Sequence, residues 1–190
     1  MRVKDEIKQE ALFEATIKVV NEIGFASSSV AKIAKEAGIS PATIYIYHKN
    51  KEDLLVSTYV EIKKNFGLAL LKNFDETLPI RDIFKQVWFN GLEYVARHRD
   101  KFHFTEQFAN SPFTDLVNKA EVEKYFEPLH NILKKGIEQK IIKDVDPQVL
   151  TVFIFYPMMI LSNKRVCTKF VICDDNSEQV FNMAWDAIKL

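Results

Sequence analysis

Apolar residues recur at helical spacing along almost the whole chain, in segments separated by short polar breaks or by glycine and proline. The first segment predicts a helix over 5–23, which Gly24 can end. The residues expected to share the buried face of this helix are Leu12, Ala15, Val19 and Ile23. Further helices are predicted over 80–97, 121–140, 147–164 and 176–189, the second of them with a kink or a late start at Pro128. No strand-turn-strand pattern interrupts the series, so the sequence predicts an all-α protein.

Two short helices joined by a tight turn are predicted between residues 28 and 47. Serines at 27–29 offer caps for the first helix, and Gly38 can end it. Ser40 is a good cap for the second helix, and Pro41 takes its first position, where a missing N–H does no harm. A longer helix then begins after Asn50, a further capping residue.

A helix followed by two short helices and a glycine-containing turn describes a helix-turn-helix unit. The second short helix can enter a major groove, while hydroxyl groups and lysines contact phosphates or base edges. A plain helical hairpin with solvated polar residues is the alternative, and the lysines at 49 and 51 argue against it. The residues predicted to contact DNA are Ser29, Lys32, Ser40, Pro41, Ala42, Thr43, Tyr45, Ile46, Tyr47, Lys49 and Lys51.

The second short helix, 40–47, contains no Arg, Lys, Asn or Gln. The strongest pairings with guanine and adenine are therefore unavailable from it, and apolar contact with thymine methyl groups remains. The side chains suited to such contact are Pro41, Ala42 and Ile46. This predicts an A/T-rich palindrome read partly through DNA shape. The alternative is guanine contact from the flanks by Lys32, Lys49 or Arg2.

The segment SSVAKIAKEAGIS at 28–40, followed by TIYIYHKNKEDLL at 43–55, resembles the TetR family of transcriptional repressors. The resemblance covers about residues 8–56. His48 stands where the family usually has Phe, and Pro41-Ala42 stands where many members have a polar or basic residue. Both departures lie in or beside the predicted DNA-reading helix.

The resemblance implies an all-helical dimer of about nine helices per subunit. It implies a DNA-binding domain, predicted at 1–50, and a domain at 51–190 that binds a small molecule and dimerises. Because the last two helices usually form the family's dimer interface, the segments 147–164 and 176–189 are expected to pack against their twofold mates. The expected function is that of a repressor released from a palindromic operator by an effector. A helix-turn-helix protein without an effector is the alternative.

Aromatic residues are frequent between 80 and 190, and at helical spacing most of them are expected in the core or the dimer interface. A cavity lined by several would accept a small apolar or aromatic effector. The candidates for lining it are Trp88, Phe108, Phe126 and Tyr156.

The formal net charge is zero, with eight basic and six acidic residues in 1–51. A DNA site must therefore be a local basic patch.

The two cysteines, Cys167 and Cys173, do not match zinc spacings, so neither a metal nor a cofactor is expected. Catalytic motifs such as G-x-S-x-G and H-E-x-x-H are missing, which argues against an enzyme. The beginning of the chain does not read as a signal peptide. The apolar run 149–161 is short for a membrane span, so a cytoplasmic protein without membrane contact is expected.

Overall fold

The computed structural model describes residues 2–190, except for the side chains of residues 2–6 and Asp174. Within this range the chain forms ten α-helices and one 3-10 helix and contains no β-strand, which confirms the predicted all-α class. The helices are α1 (Arg2–Ser27), α2 (Val30–Glu36), α3 (Pro41–Tyr47), α4 (Lys51–Leu70), α5 (Ile80–Arg97), α6 (Arg99–Ala109), α7 (Lys119–Glu123), α8 (Glu127–Glu138), α9 (Pro147–Ser162) and α10 (Asp174–Ile188), and the 3-10 helix is Pro112–Leu116. The side chain of Arg2, a candidate for contact with guanine, lies outside the described residues.

The structure refines two details of the prediction. The helix predicted over 121–140, with a kink or a late start at Pro128, is divided into α7 and α8, and α8 starts beside Pro128, which has no N–H to bond the carbonyl four residues earlier. Ile23, predicted on the buried face of α1, is exposed. It directly precedes Gly24, whose φ of 76° and ψ of 166° break the regular helix, so no further turn of that helix covers it.

The first compact unit contains α1, α2, α3, the part of α4 up to Lys63, and Asp100–Lys119. Two groups of buried side chains stabilise it. One group fixes α2 and α3 against α1 and consists of Leu12, Ala15, Val19, Ile33, Ala34, Ile44 and Leu54. The other joins α1, α4 and α6 and consists of Ile17, Val20, Leu55, Ile62, Phe104 and Phe108.

The second compact unit contains Lys64–Arg99 and Ala120–Leu190. Its core is rich in aromatic side chains, with Trp88 fully buried beside Phe181 at a ring distance of 5.8 Å. The indole Nε1 of Trp88 donates to the carbonyl of Ile154 at 3.1 Å, so the ring is satisfied as well as packed. Within the described residues, no helix has both the length and the apolar character that a membrane span requires. The functional boundary between 1–50 and 51–190 stays a prediction.

Candidate nucleic-acid interface

The turn between α2 and α3 is built by the capping residues that the sequence displays. Ser29 accepts a hydrogen bond from the backbone N–H of Lys32 at 3.3 Å and starts α2. Gly38 then adopts a positive φ of 67°, a conformation that suits glycine. Ser40 Oγ accepts from the N–H of Thr43 at 3.2 Å and starts α3. The two short helices are therefore set by local hydrogen bonds as well as by their core contacts.

The helix α3 has one buried face and one outward face. Ile44 is buried and holds α3 against the first core group. On the outward side Pro41 and Ala42 are exposed, Tyr45 is 57% exposed and Ile46 is 75% exposed. An isoleucine this exposed on a short helix leaves its apolar surface in water unless a partner covers it.

The three lysines predicted to contact DNA differ in their surroundings. Lys32 and Lys49 are both exposed. The Nζ of Lys32 donates to the carbonyl of Ser27 at 3.0 Å. Lys51 is half-buried, and its Nζ donates to the carbonyls of Phe25 and Ser28, both at 3.1 Å. An ammonium group has three N–H donors, so these bonds leave Lys51 one donor for a phosphate. The sequence could not predict these two bonds, because both acceptors are backbone carbonyls and no side chain marks their positions.

The remaining predicted contacts lie at the ends of the same two helices. Thr43 is half-buried, and its hydroxyl lies 2.9 Å from that of Ser40. Tyr47 is half-buried at the last position of α3. The structure thus places the predicted residues on α2 and α3, at the N-caps of these two helices and at 49–51, all within one compact unit.

His48 follows α3 and is 6% exposed. Among the described residues neither ring nitrogen has a hydrogen-bond partner, and Nδ1 lies 3.6 Å from Asp53 Oδ2. Burial lowers the pKa of His48 below the usual histidine range, and the nearby carboxylate of Asp53 opposes this only in part. Asp53 itself accepts from the N–H of Lys49 at 3.0 Å. Burial therefore favours the neutral form of the His48 ring, which lies 6.1 Å from the ring of Phe13.

The four candidates for an effector cavity lie in different surroundings. Trp88 is a satisfied core residue of the second unit. Phe108 belongs to the first unit, where it stacks on Tyr59 at 4.3 Å. Phe126 is half-buried beside Phe66, at a ring distance of 6.3 Å. Tyr156 is exposed on α9.

The helix α9 presents an apolar stripe along one side. Its exposed members follow a spacing of three or four residues, which places them on one face. They are Val149, Val152, Phe153, Tyr156 and Ile160. On α10 the exposed residues are mostly polar, apart from Met183, which is 70% exposed.

Comparisons with known proteins agree with this geometry. Residues 12–58 match the family model of bacterial regulatory proteins, tetR family, and residues 79–189 match the tetracyclin repressor-like, C-terminal domain. The crystal structure of a TetR family transcription regulator from Marinobacter aquaeolei VT8 is 33% identical, with a TM-score of 0.91, and the match covers 100% of this chain and 99% of that one. An HTH-type transcriptional regulator of Haemophilus influenzae is 26% identical over 181 residues, 95% of each chain.

A further similar structure is that of the transcriptional regulator FadR from Bacillus subtilis in complex with stearoyl-CoA. It is 25% identical, with a TM-score of 0.74, and the match covers 94% of this chain and 98% of that one. The family models together account for most of the sequence, from the helix-turn-helix to the last helix. The chain therefore belongs to the TetR family of bacterial regulatory proteins and is a helix-turn-helix, DNA-binding transcription regulator.

Proposed function

We propose that this chain represses transcription as a homodimer bound to a palindromic operator, and that a small, mostly apolar molecule releases it. The observation that carries the proposal is the outward face of α3, where Tyr45 and Ile46 project into solvent beside the capped start of the helix. A helix of two turns with such a face fits a major groove.

In the proposed complex the outward apolar side chains of α3 meet thymine methyl groups, while hydroxyls and lysines around them meet phosphates. The proposed contacts are Ser29, Lys32, Ser40, Pro41, Ala42, Thr43, Tyr45, Ile46, Tyr47, Lys49 and Lys51. Because α3 carries no side chain for bidentate base pairing, A/T-rich half-sites should be preferred.

Selection of binding sites from a random DNA library tests this reading directly. We expect a palindrome with A/T-rich half-sites, spaced about one helical turn or a multiple of it apart. Ile46→Ala should then weaken binding to the selected operator, whereas Ile141→Ala, at a half-exposed isoleucine of the second unit, serves as the matched control. Half-sites dominated by invariant G·C pairs, or equal affinities of the two variants, would contradict the proposal.

The proposed dimer uses α9 and α10, in the segments 147–164 and 176–189. The exposed apolar stripe of α9 supports this, because a twofold partner would remove it from water. Phe153→Asp should yield a monomer that remains folded, since Phe153 is 53% exposed. Sedimentation at micromolar concentration measures the change, and a wild-type monomer would refute the assembly. Phe181 is unsuitable for this test because it is fully buried within the chain.

The proposed effector carries an apolar chain or an aromatic group. The similarity to a regulator that binds stearoyl-CoA supports this class. Phe126 is the best-placed of the proposed lining residues, because it is half-buried beside Phe66, whose ring lies 5.6 Å from Tyr94. The effector would lower DNA affinity by binding better to a conformation that no longer fits the operator.

Stearoyl-CoA is the first effector to titrate against the operator complex, with free coenzyme A as the control that lacks the apolar chain. We expect the acyl form alone to release DNA, with a coupling of about 5–150-fold in affinity. A complex that resists a range of apolar molecules would favour the alternative of a DNA-binding protein without an effector.

A further inference from the structure

A groove of about 600 Å³ lies within the first compact unit, between the end of α1, one side of α6 and the start of the 3-10 helix. This volume is in the range of small-molecule sites. Part of the lining is aromatic and includes Phe25 and Phe113, both half-buried, with rings 5.5 Å apart. Phe25 also packs against the fully buried rings of Phe104 at 5.4 Å and Phe108 at 5.9 Å. The core therefore holds this aromatic wall in place.

The rest of the groove is lined mainly by polar side chains of α6 and of the turn after it, among them Gln107 and Asn110. A chain of hydrogen bonds orients the side-chain amide of Gln107. The Nδ2 of Asn21 donates to the backbone carbonyl of Asp100 at 2.8 Å, which identifies Oδ1 as the free acceptor of Asn21. The Nε2 of Gln107 donates to this Oδ1 at 2.9 Å. The Oε1 of Gln107 is therefore an oriented acceptor.

The side-chain amide of Asn110 is oriented in the same way. Its Nδ2 donates one hydrogen to the backbone carbonyl of Glu106 at 2.9 Å. A carboxamide has two amide hydrogens and an acceptor oxygen, so Asn110 keeps one donor and its Oδ1 after this bond. Within the described part of the chain, neither that oxygen nor Oε1 of Gln107 receives a hydrogen bond. The groove thus offers a donor and two acceptors from uncharged side chains.

We propose that this groove binds an uncharged aromatic amide, a flat ring that carries a carboxamide or a comparable pair of neighbouring donor and acceptor. The ring would lie against Phe25 and Phe113, where further aromatic contacts are favourable. The ligand N–H would donate to Oε1 of Gln107, and the ligand carbonyl would accept from Nδ2 of Asn110. Both bonds use atoms that the protein leaves open, so no bond within the groove has to break.

This site goes beyond the proposed effector site, which would lie in the other compact unit. Its test needs neither operator DNA nor an acyl chain, so the failure of one proposal leaves the other intact. Because the groove is open and a single-ring probe fills only part of it, the affinity for such a probe should be about millimolar.

Benzamide is the probe. Methyl benzoate keeps the ring and the carbonyl but lacks the N–H donor, and acetamide keeps the amide but lacks the ring. Side-chain amide signals of Gln107 and Asn110 in the full-length protein can be followed by NMR during each titration. We expect benzamide to shift both signals saturably and the other two compounds to bind more weakly. No shift with benzamide up to about ten millimolar, or equal affinity for either counterpart, would overturn the proposal.

Asn110→Ala tests the donor, since Asn110 is exposed and its replacement leaves the core intact. The variant should bind benzamide about fivefold more weakly, because the ligand carbonyl loses a hydrogen bond. The signal to follow is then the side-chain amide of Gln107. Asn118→Ala, at an exposed asparagine of the same unit outside the groove, is the matched control. Equal affinities of the two variants for benzamide would refute the assignment.

Discussion

Replacing His48 with Phe should stabilise the protein. The imidazole is 6% exposed, and neither nitrogen has a hydrogen-bond partner among the described residues. Leaving a buried polar group unsatisfied costs about 1–3 kcal/mol, which a phenyl ring avoids. A second aromatic ring beside Phe13 adds about 0.5–1.5 kcal/mol, and the slightly larger volume of Phe offsets part of the gain. The net expectation is about 1–2 kcal/mol, or a rise in Tm of about 3–6 °C for a chain of this length.

The pH dependence of stability provides an independent test of the burial of His48. Burial lowers the folded-state pKa of His48, so the unfolded chain binds more protons as the pH falls below about 6.5. The stability that the neutral ring confers is complete above that pH and is lost progressively towards the folded-state pKa. His48→Phe should lack this loss, so its advantage over the wild type should grow as the solution is acidified.

Thermal unfolding at a fixed protein concentration, measured at several pH values between about 5 and 8, checks both expectations. His130→Phe is the matched control, because His130 is exposed and its replacement should change stability by less than about 0.5 kcal/mol. A His48→Phe protein that is less stable than the wild type at neutral pH would refute the packing argument. A wild type that gains stability on acidification relative to His48→Phe would mean that His48 is charged and paired with Asp53.

Three further expectations follow from particular contacts. Lys49→Ala should weaken operator binding and reduce its salt dependence without changing Tm. Lys51→Ala should have the same effect on binding and should also lower Tm, because the carbonyls of Phe25 and Ser28 lose a charged donor; anisotropy titrations measure the binding and thermal scans the Tm. Gly67→Ala should destabilise the protein by about 1–3 kcal/mol, because the new Cβ would lie 2.9 Å from both the backbone oxygen and the Cβ of Tyr125. An unchanged midpoint in a urea titration would disprove this close approach. Gly24→Ala should lower the free energy of unfolding by about 1–3 kcal/mol, because a φ of 76° with a ψ of 166° is strained for any residue with a side chain. The new Cβ itself would meet no neighbouring atom within 4 Å, so equal urea midpoints for the variant and the wild type would argue against backbone strain.

The helices were predictable because the residues that start and end each helix lie next to it in the sequence. Ser40 caps a helix that begins with proline, as predicted, and accepts a hydrogen bond from a backbone N–H; Asp146 caps α9 in the same way. The family was predictable for the same reason, since its motif lies in one continuous segment. Features that depend on distant segments were not predictable. The two carbonyls bound by Lys51 are such a feature.

The candidates for the effector cavity show the same limit. Helical spacing indicates that Tyr156 and Trp88 each face an apolar surface, but it does not distinguish the core from an outward stripe. In the structure Trp88 is fully buried and Tyr156 is exposed.

The small number of lysines around α3 bears on how the protein finds its operator in a genome. Three lysines per protomer are proposed for phosphate contact, namely Lys32, Lys49 and Lys51, and a dimer with about six such contacts has a salt slope of about −5. Non-specific binding to DNA depends on the same contacts. The formal net charge of the whole chain is zero, so the chain outside these three lysines is net acidic and adds no general attraction to nucleic acid. Bulk chromosomal DNA should therefore compete less for this protein than for a regulator with more phosphate contacts, and salt should weaken its non-specific binding less steeply.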